Sequence, residues 1–257
     1  MSNTELKKII AFDLDGTLAE SKQELSNEMA TLLYSLSLKT KVAIISGGSY
    51  RQFQKQIIPK LTEASQGKSL NNIFFLPTSG TCRYEYDEKI KDWREVYTHM
   101  FASSVKTRVI NELNNILGKH KSDFEIPEKH YGTYIEDRGN QITLSAMGQE
   151  APLGEKSTWD PTGKKRLRIK SDLEHVVPEV EANLGGTTSV DVLPKGFDKS
   201  FGLKITLEAL KLSVKDILFV GDAVFKGGND YSPSLIGIET IGVKNPTETA
   251  LLISNLL

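Results

Sequence analysis

Four short runs of this chain are apolar almost from end to end: Lys8–Asp13, Lys41–Ser46, Ile73–Leu76 and Asp216–Gly221, with a weaker fifth at Glu239–Val243. Continuous rather than alternating hydrophobicity marks strands buried on both faces, the condition of a parallel sheet sandwiched by helices. Helical spacings lie between the runs. Leu25, Met29, Leu32 and Leu33 share one face, Phe53, Ile57 and Ile58 another, and Leu203, Leu207 and Leu210 a third. Strand and helix in alternation predict an α/β fold with a mostly parallel, Rossmann-like sheet.

The middle of the chain reads differently. Trp93 to Leu117 has helical spacing. Gly132–Met147 alternates about a Gly-Asn turn, as an antiparallel hairpin does. A further helix is expected in 158–184, with Leu167, Leu173, Val176, Val177 and Val180 apolar and Pro178 to kink or end it. Thr187–Pro194 reads as another strand. At 257 residues the chain exceeds a typical single domain. These features predict an α+β module inserted into the parallel core, with residues 1–84 and 188–257 as core and 85–187 as insert.

With 32 Lys+Arg against 33 Asp+Glu, the charge gives no general pull toward nucleic acid or an anionic membrane, so an anion must be held by a local site. The run Lys164–Lys170 is expected to be the wet face of a helix. The single cysteine, Cys82, excludes an internal disulfide or a multi-cysteine metal site. The four histidines lack metal spacing, and His130 alone falls near the expected site. The apolar stretch after Lys7 and Lys8 is too short for a signal or membrane segment, which predicts a soluble, cytoplasmic protein.

In open α/β sheets, ligands bind at the carboxyl ends of the strands. Asp13, Asp15 and Thr17 follow the first run, Ser46, Gly47, Gly48 and Ser49 the second, Thr78 to Thr81 the third, and Asp222, Asn229 and Asp230 the fourth. Lys195 and Lys199 stand near a helix start just upstream. Carboxylates clustered at 13, 15 and 222 repel one another unless a cation intervenes, and an all-oxygen set suits Mg²⁺. Hydroxyls and backbone N–H groups beside a helix start can hold phosphate oxygens. With both accommodated, Asp13 can attack as a nucleophile and form an aspartyl phosphate. Asp15 can protonate the leaving oxygen and then activate water.

The segments "DLDGT", "IISGGS", the Asp198-Lys199 pair and "GDAVFKGGND", in this order, resemble the haloacid dehalogenase superfamily, and the middle insert resembles its type IIB cap. The nearest likeness is to the eukaryotic-type phosphomannomutases, over nearly the whole chain. The resemblance implies Asp13 as nucleophile, Asp15 as acid/base and donor of a backbone carbonyl to Mg²⁺, and Lys199 as the neutralising cation. It implies Asp222 in the metal site with Asn229 and Asp230 in support, and Ser46 and Gly47 at the phosphate. Substrate entry and the exclusion of bulk water require cap and core to open and close, with hinges expected near Tyr84–Glu85 and Thr188–Asp191.

A hydrolase and a mutase share this chemistry and diverge in the cap. The resembled mutases carry three cap arginines, which hold a distal phosphate in forked contacts. Here the matching positions are Tyr131, Arg138 and Gln149, with Glu136 and Asp137 adding negative charge, and Lys22 stands where the family tends to have an arginine near the nucleophile. Lys129, His130 and Lys195 are the cations that remain to compensate. The expectation is a Mg²⁺-dependent phosphomonoester hydrolase acting on a small phosphorylated metabolite such as a sugar phosphate. Arg138, Gln149 and Asp191 would contact it, with Gln141, Thr143 and Ser145 as further candidates. The alternative is a phosphomannomutase interconverting mannose-1-phosphate and mannose-6-phosphate, and the remote one a non-catalytic phosphometabolite-binding protein. A homodimer through the cap is left open.

Overall fold

The computed structural model describes residues 6–119, 124–126 and 131–257. His130 and Lys129, named above, lie outside the described residues. In chain order the elements are β1 (Ile9–Asp13), α1 (Asn27–Ser37), β2 (Lys41–Ile45), α2 (Tyr50–Gln56), α3 (Ile58–Ser65), β3 (Ile73–Leu76), β4 (Cys82–Asp87) and β5 (Asp92–Thr98). They continue as α4 (Ser103–Lys119), β6 (Ile135–Asp137), β7 (Ile142–Ser145), α5 (Leu153–Trp159), α6 (Lys164–Val176), β8 (Val180–Gly185) and β9 (Ser189–Pro194). The chain closes with α7 (Lys199–Leu210), β10 (Ile217–Gly221), α8 (Ser232–Leu235), β11 (Glu239–Gly242) and α9 (Pro246–Leu256).

Two compact units result: a core through Thr98 that resumes at Asp198–Leu257, and an insert, His99–Phe197. The core holds a seven-stranded sheet in the order β11-β10-β1-β2-β3-β4-β5. The strands β11 to β3 run parallel, and β4 and β5 close the edge antiparallel. Alternate residues of the central strands feed two apolar layers. Ile10, Phe12, Val42, Ile44 and Phe75 pack with Leu33, Leu61 and Ile253 from α1, α3 and α9. Ile9, Ala11, Ala43, Ile45 and Leu76 pack with Leu203 and Leu207 of α7. Each of the larger side chains, fully buried, contributes about 1.5–3 kcal/mol. The layers explain why these strands read as unbroken apolar runs.

Both domain edges lie later than the sequence suggests. The expected edge near residue 85 falls inside β4, which pairs with β3 and with β5, so the chain stays in the core sheet until Thr98. The stretch from Trp93 read as helix is strand β5 followed by α4. As an edge strand β5 buries Trp93, which packs on Phe75 at 3.8 Å between ring centroids, and exposes most of the rest, so its alternation is faint. The edge near 188 precedes β9, which pairs with both β7 and β8 of the insert's four-stranded sheet. The expected hinges, Tyr84–Glu85 and Thr188–Asp191, therefore sit within paired strands, apart from Thr188, which is in the turn before β9.

In the insert, the hairpin forms as β6 and β7, and Pro178 ends α6 as expected. Val180 opens β8 rather than extending the helix, and Leu167 and Val176 are exposed while Ile169 and Leu173 are buried. The basic run is not uniformly wet, because Arg166 is buried and pairs with buried Asp160 at 3.0 Å. Among the described residues, no helix is long and apolar enough to cross a membrane.

Candidate active site

The parallel register carries β1 to its end at Asp13, beside the ends of β2 and β10. Asp13 is only 4 % exposed. Its Oδ1 accepts a hydrogen bond from the Lys199 ammonium, and Thr17 Oγ1 donates to Oδ2 at 3.4 Å. The position of Lys199 follows from a helix cap. Asp198 accepts from the Phe201 N–H at 3.1 Å, starts α7, and sets Lys199 as its first residue. Lys199 also donates to Asp230 Oδ1 at 2.5 Å. Lys195, the other candidate, is exposed and belongs to the insert.

Asp222 follows β10. Gly16, with φ of +90°, makes room for it: a Cβ there would lie 2.5 Å from Asp222 Oδ2. The glycine of "DLDGT" thus serves both the turn and the approach of the second acidic loop. Asp230 is fully buried, and its Oδ2 accepts from the Ala223 N–H at 3.1 Å. Carboxylate oxygens of Asp13, Asp222 and Asp230 lie within 4.8 Å of one another. Asn229, next to Asp230, is exposed.

Three carboxylates around one ammonium leave the cluster short of positive charge. Burial, with Asp230 and Asp222 adding to it against Lys199, holds the Asp13 carboxyl well above its ordinary pKa. Asp222 is exposed as a residue, but partial desolvation of its carboxyl and then Asp230 push its pKa up to about 6. Burial alone would lower Lys199, but Asp13 and Asp230 outweigh it and raise its pKa. An all-oxygen site of three converging carboxylates is suited to a hard divalent cation, which would supply the missing charge.

The other expected residues of the core are arranged around this cluster. The Asp15 carboxyl accepts from the Lys22 backbone N–H at 2.7 Å on Oδ1 and from Gln52 Nε2 at 3.1 Å on Oδ2. Ser46 is buried at the end of β2, where its Oγ accepts from the Gly48 N–H at 3.0 Å, with Gly47 between them. This loop is held by a turn that the sequence reading did not single out for that role. Thr78 and Ser79 take left-handed φ values of 49° and 58°. Their N–H groups donate to Gly48 and Ser46 carbonyls, each at 2.8 Å. Thr17 stands among the residues expected after the first run, whereas nothing in the sequence singles out Gln52 as a partner of Asp15.

The remaining candidates belong to the insert. Strand register puts Glu136, Thr143, Asp191 and Asn183 in one row across its sheet, on the face opposite Ile142, Leu144, Val190 and Val192. Gln141 Nε2 donates to Thr143 Oγ1 at 3.0 Å, which donates to Asp191 Oδ1 at 2.8 Å. Arg138 donates from Nε and Nη2 to Glu136 Oε2 at 3.0 and 2.7 Å. Gln149 lies after β7, where its carbonyl accepts from buried Lys156 Nζ at 3.1 Å.

A parallel core with acids at the ends of β1 and β10, a lysine between them and an inserted α+β unit defines a phosphotransferase or phosphatase of the haloacid dehalogenase superfamily. The eukaryotic phosphomannomutase family matches residues 29–257, and the chain belongs to that family. Similar curated proteins include phosphomannomutase 2 of Dictyostelium discoideum, 25% identical over 96% of this chain and 95% of that one. Another is the phosphomannomutase of Encephalitozoon cuniculi, 29% identical over 95% and 91%. Both alignments span more of the chain than the family match does. Among solved structures, N-terminally truncated, IMP-bound Plasmodium falciparum IMP-nucleotidase superposes with a TM-score of 0.73 at 19% identity, covering 98% of this chain and 68% of that one. A haloacid dehalogenase-like hydrolase from Bacteroides thetaiotaomicron gives 0.57 at 14% identity, covering 98% and 100%. These two likenesses bear on the fold alone.

Proposed function

We propose that this chain is a hexose-phosphate phosphotransferase of the phosphomannomutase type, working through an aspartyl phosphate on Asp13. The observation that carries the chemistry is the buried Asp13 held by Lys199, with Asp222 and Asp230 close by. An Asp13 oxygen attacks phosphorus, the bond from phosphorus to the sugar oxygen breaks, and Asp15 gives that oxygen its proton. In the second half, a sugar hydroxyl attacks the aspartyl phosphate while Asp15 takes the hydroxyl proton, and the Asp13 carboxylate is restored. Asp13, Asp222 and Asp230, with Asn229 and the Asp15 carbonyl, are the residues that would hold Mg²⁺, which offsets charge on the phosphoryl oxygens when bound. Ser46 and Gly47 are assigned to the transferring phosphoryl group, and Arg138, Gln149 and Asp191 to the sugar and its distal phosphate.

Family membership and the names of the curated relatives support this reading better than the hydrolase that the cap residues alone suggested. One observation still favours hydrolysis. A mutase must hold a second phosphate, yet Arg138 is already engaged by Glu136, and Tyr131 and Gln149 stand where the resembled family has arginines. Desolvating a dianion against one pre-engaged arginine is costly. A phosphorus NMR time course with Mg²⁺, mannose-1-phosphate and a trace of glucose-1,6-bisphosphate separates the two. Mannose-6-phosphate appearing in the wild type but not in Asp13→Asn supports the mutase; inorganic phosphate alone supports the hydrolase. Equal turnover in Asp13→Asn would refute both.

A further inference from the structure

We infer that Gln52 is a positioning residue for the acid/base carboxyl of Asp15, tying its aim to the loop after β2; this rests on the role proposed for Asp15 above. The two oxygens of Asp15 each take one neutral donor, Oδ1 the Lys22 backbone N–H at 2.7 Å and Oδ2 the Gln52 amide at 3.1 Å. Two donors on two oxygens fix the rotation of a carboxyl that would otherwise turn freely, and neither adds a charge. A proton shuttle needs that combination. A cationic partner would hold the carboxylate and oppose its protonation, and an acidic one would do the reverse.

A second feature of the fold supports the same role. A Cβ on Gly48 would lie 2.3 Å from Gln52 Oε1 and 2.7 Å from its Cδ. The absence of a side chain at Gly48 is what lets the carboxamide lie across this loop and reach Asp15. Gly48 is also the residue whose N–H donates to Ser46 Oγ and whose carbonyl accepts from Thr78. One residue of the proposed phosphate loop therefore fixes Ser46 on one side and admits Gln52 on the other. Gln52 is half-buried at the third position of α2, so its backbone is set by the helix. A displacement of the carboxamide leaves Asp15 with one donor and a free torsion, and small misplacements of an acid slow proton transfer steeply.

The test separates positioning from folding by the leaving group. Loss of glucose phosphate from glucose-1,6-bisphosphate requires a proton from Asp15, whereas dinitrophenolate leaves 2,4-dinitrophenyl phosphate without one. The ratio of kcat/KM for the two probes isolates the protonated step, because kcat/KM ends at formation of the aspartyl phosphate. Gln52→Met, close in size and without the donor, should lower that ratio about 10- to 100-fold, part of the 10²–10⁴ a general acid supplies, with the KM values little changed. Gly48→Ala, which pushes the carboxamide away without removing it, should lower the ratio in the same direction, and the double variant should be no worse than the poorer single one. Asp15→Asn is the reference. If it lowers the ratio while Gln52→Met lowers both probes equally or neither, the positioning role is overturned and the role of Asp15 stands. If Asp15→Asn leaves the ratio unchanged, the reading of Asp15 fails and takes this inference with it.

Discussion

Lys199→Met tests whether the core site is held together by one buried cation. The ammonium touches Asp13 and Asp230, and the three side chains are 3%, 5% and 0% exposed. Breaking a buried ion pair by removing one partner costs about 3–5 kcal/mol, because the other charge is left uncompensated. Here two carboxylates lose the same partner, but Asp13 can discharge the strain by taking a proton, since its pKa is already raised. We therefore expect about 4 kcal/mol of destabilisation at pH 8 without metal, and less at pH 5. The sign follows from both partners. Lys199 has a raised pKa in the fold, so its stabilisation is complete below the ordinary lysine range and persists throughout this window. The raised Asp13 pKa means that the fold binds a proton more tightly than the unfolded chain, so lowering the pH relieves the charge left behind. Urea unfolding in EDTA is the assay. In a Trp159→Phe background, Trp93 reports on the core unit by itself. The control is Lys244→Ala, whose 3.6 Å pair with Glu248 is exposed and should contribute under about 1 kcal/mol. A Lys199→Met loss as small as the control, or one equal at both pH values, would refute the reasoning.

Gly202→Ala in α7 should cost about 2–3 kcal/mol in a chemical melt, since its Cβ would lie 2.5 Å from Gly80 Cα and 3.0 Å from the Gly80 carbonyl oxygen, and neither backbone can yield easily. Added Mg²⁺ should raise the melting temperature more at pH 8 than at pH 5. Asp222, with its pKa pushed up to about 6, is ionised and disfavoured in the metal-free fold above that value and protonated below it, and solvent at this exposed group limits the effect to about 1 kcal/mol. Glu136→Gln should lower KM for glucose-1,6-bisphosphate several-fold if Arg138 holds a distal phosphate, because the Arg138 guanidinium would no longer face a carboxylate; an unchanged KM would remove Arg138 from that role.

The fold was legible where burial was complete. β1, β2, β3 and β10 are covered on both sides, so nearly every residue had to be apolar, and the runs stand out against any neighbour. β5 was not legible because it has one covered face and one sheet neighbour. Trp93 and Val96 are spaced as well for a helix as for an irregular strand, and the register shifts between Arg83 and Tyr84 of its partner strand. Missing β5 moved the first domain edge. The second moved for a different reason: β9 looks like any half-buried strand, and only its pairing with β7 and β8 tells which sheet owns it.

The same contrast runs through the site. Asp13, Asp15, Gly16 and Asp222 are fixed by where strands end and by what a turn can hold, so short spacings betray them. Gln52 and the left-handed pair Thr78 and Ser79 act on those residues from other elements, and no local pattern demands a glutamine or a positive φ there. The insert is harder still, because its polar row uses ordinary strand alternation. Glu136, Thr143 and Asp191 fall on one face simply because Ile142, Leu144 and Val192 occupy the other. Alternation says which residues share a face and nothing about which ligand that face receives. Arg138 gives its Nε and Nη2 to Glu136, so a second phosphate gains those two donors only by displacing that carboxylate. Choosing between transfer to sugar and transfer to water therefore turns on that exchange, which removing the carboxylate at 136 measures directly.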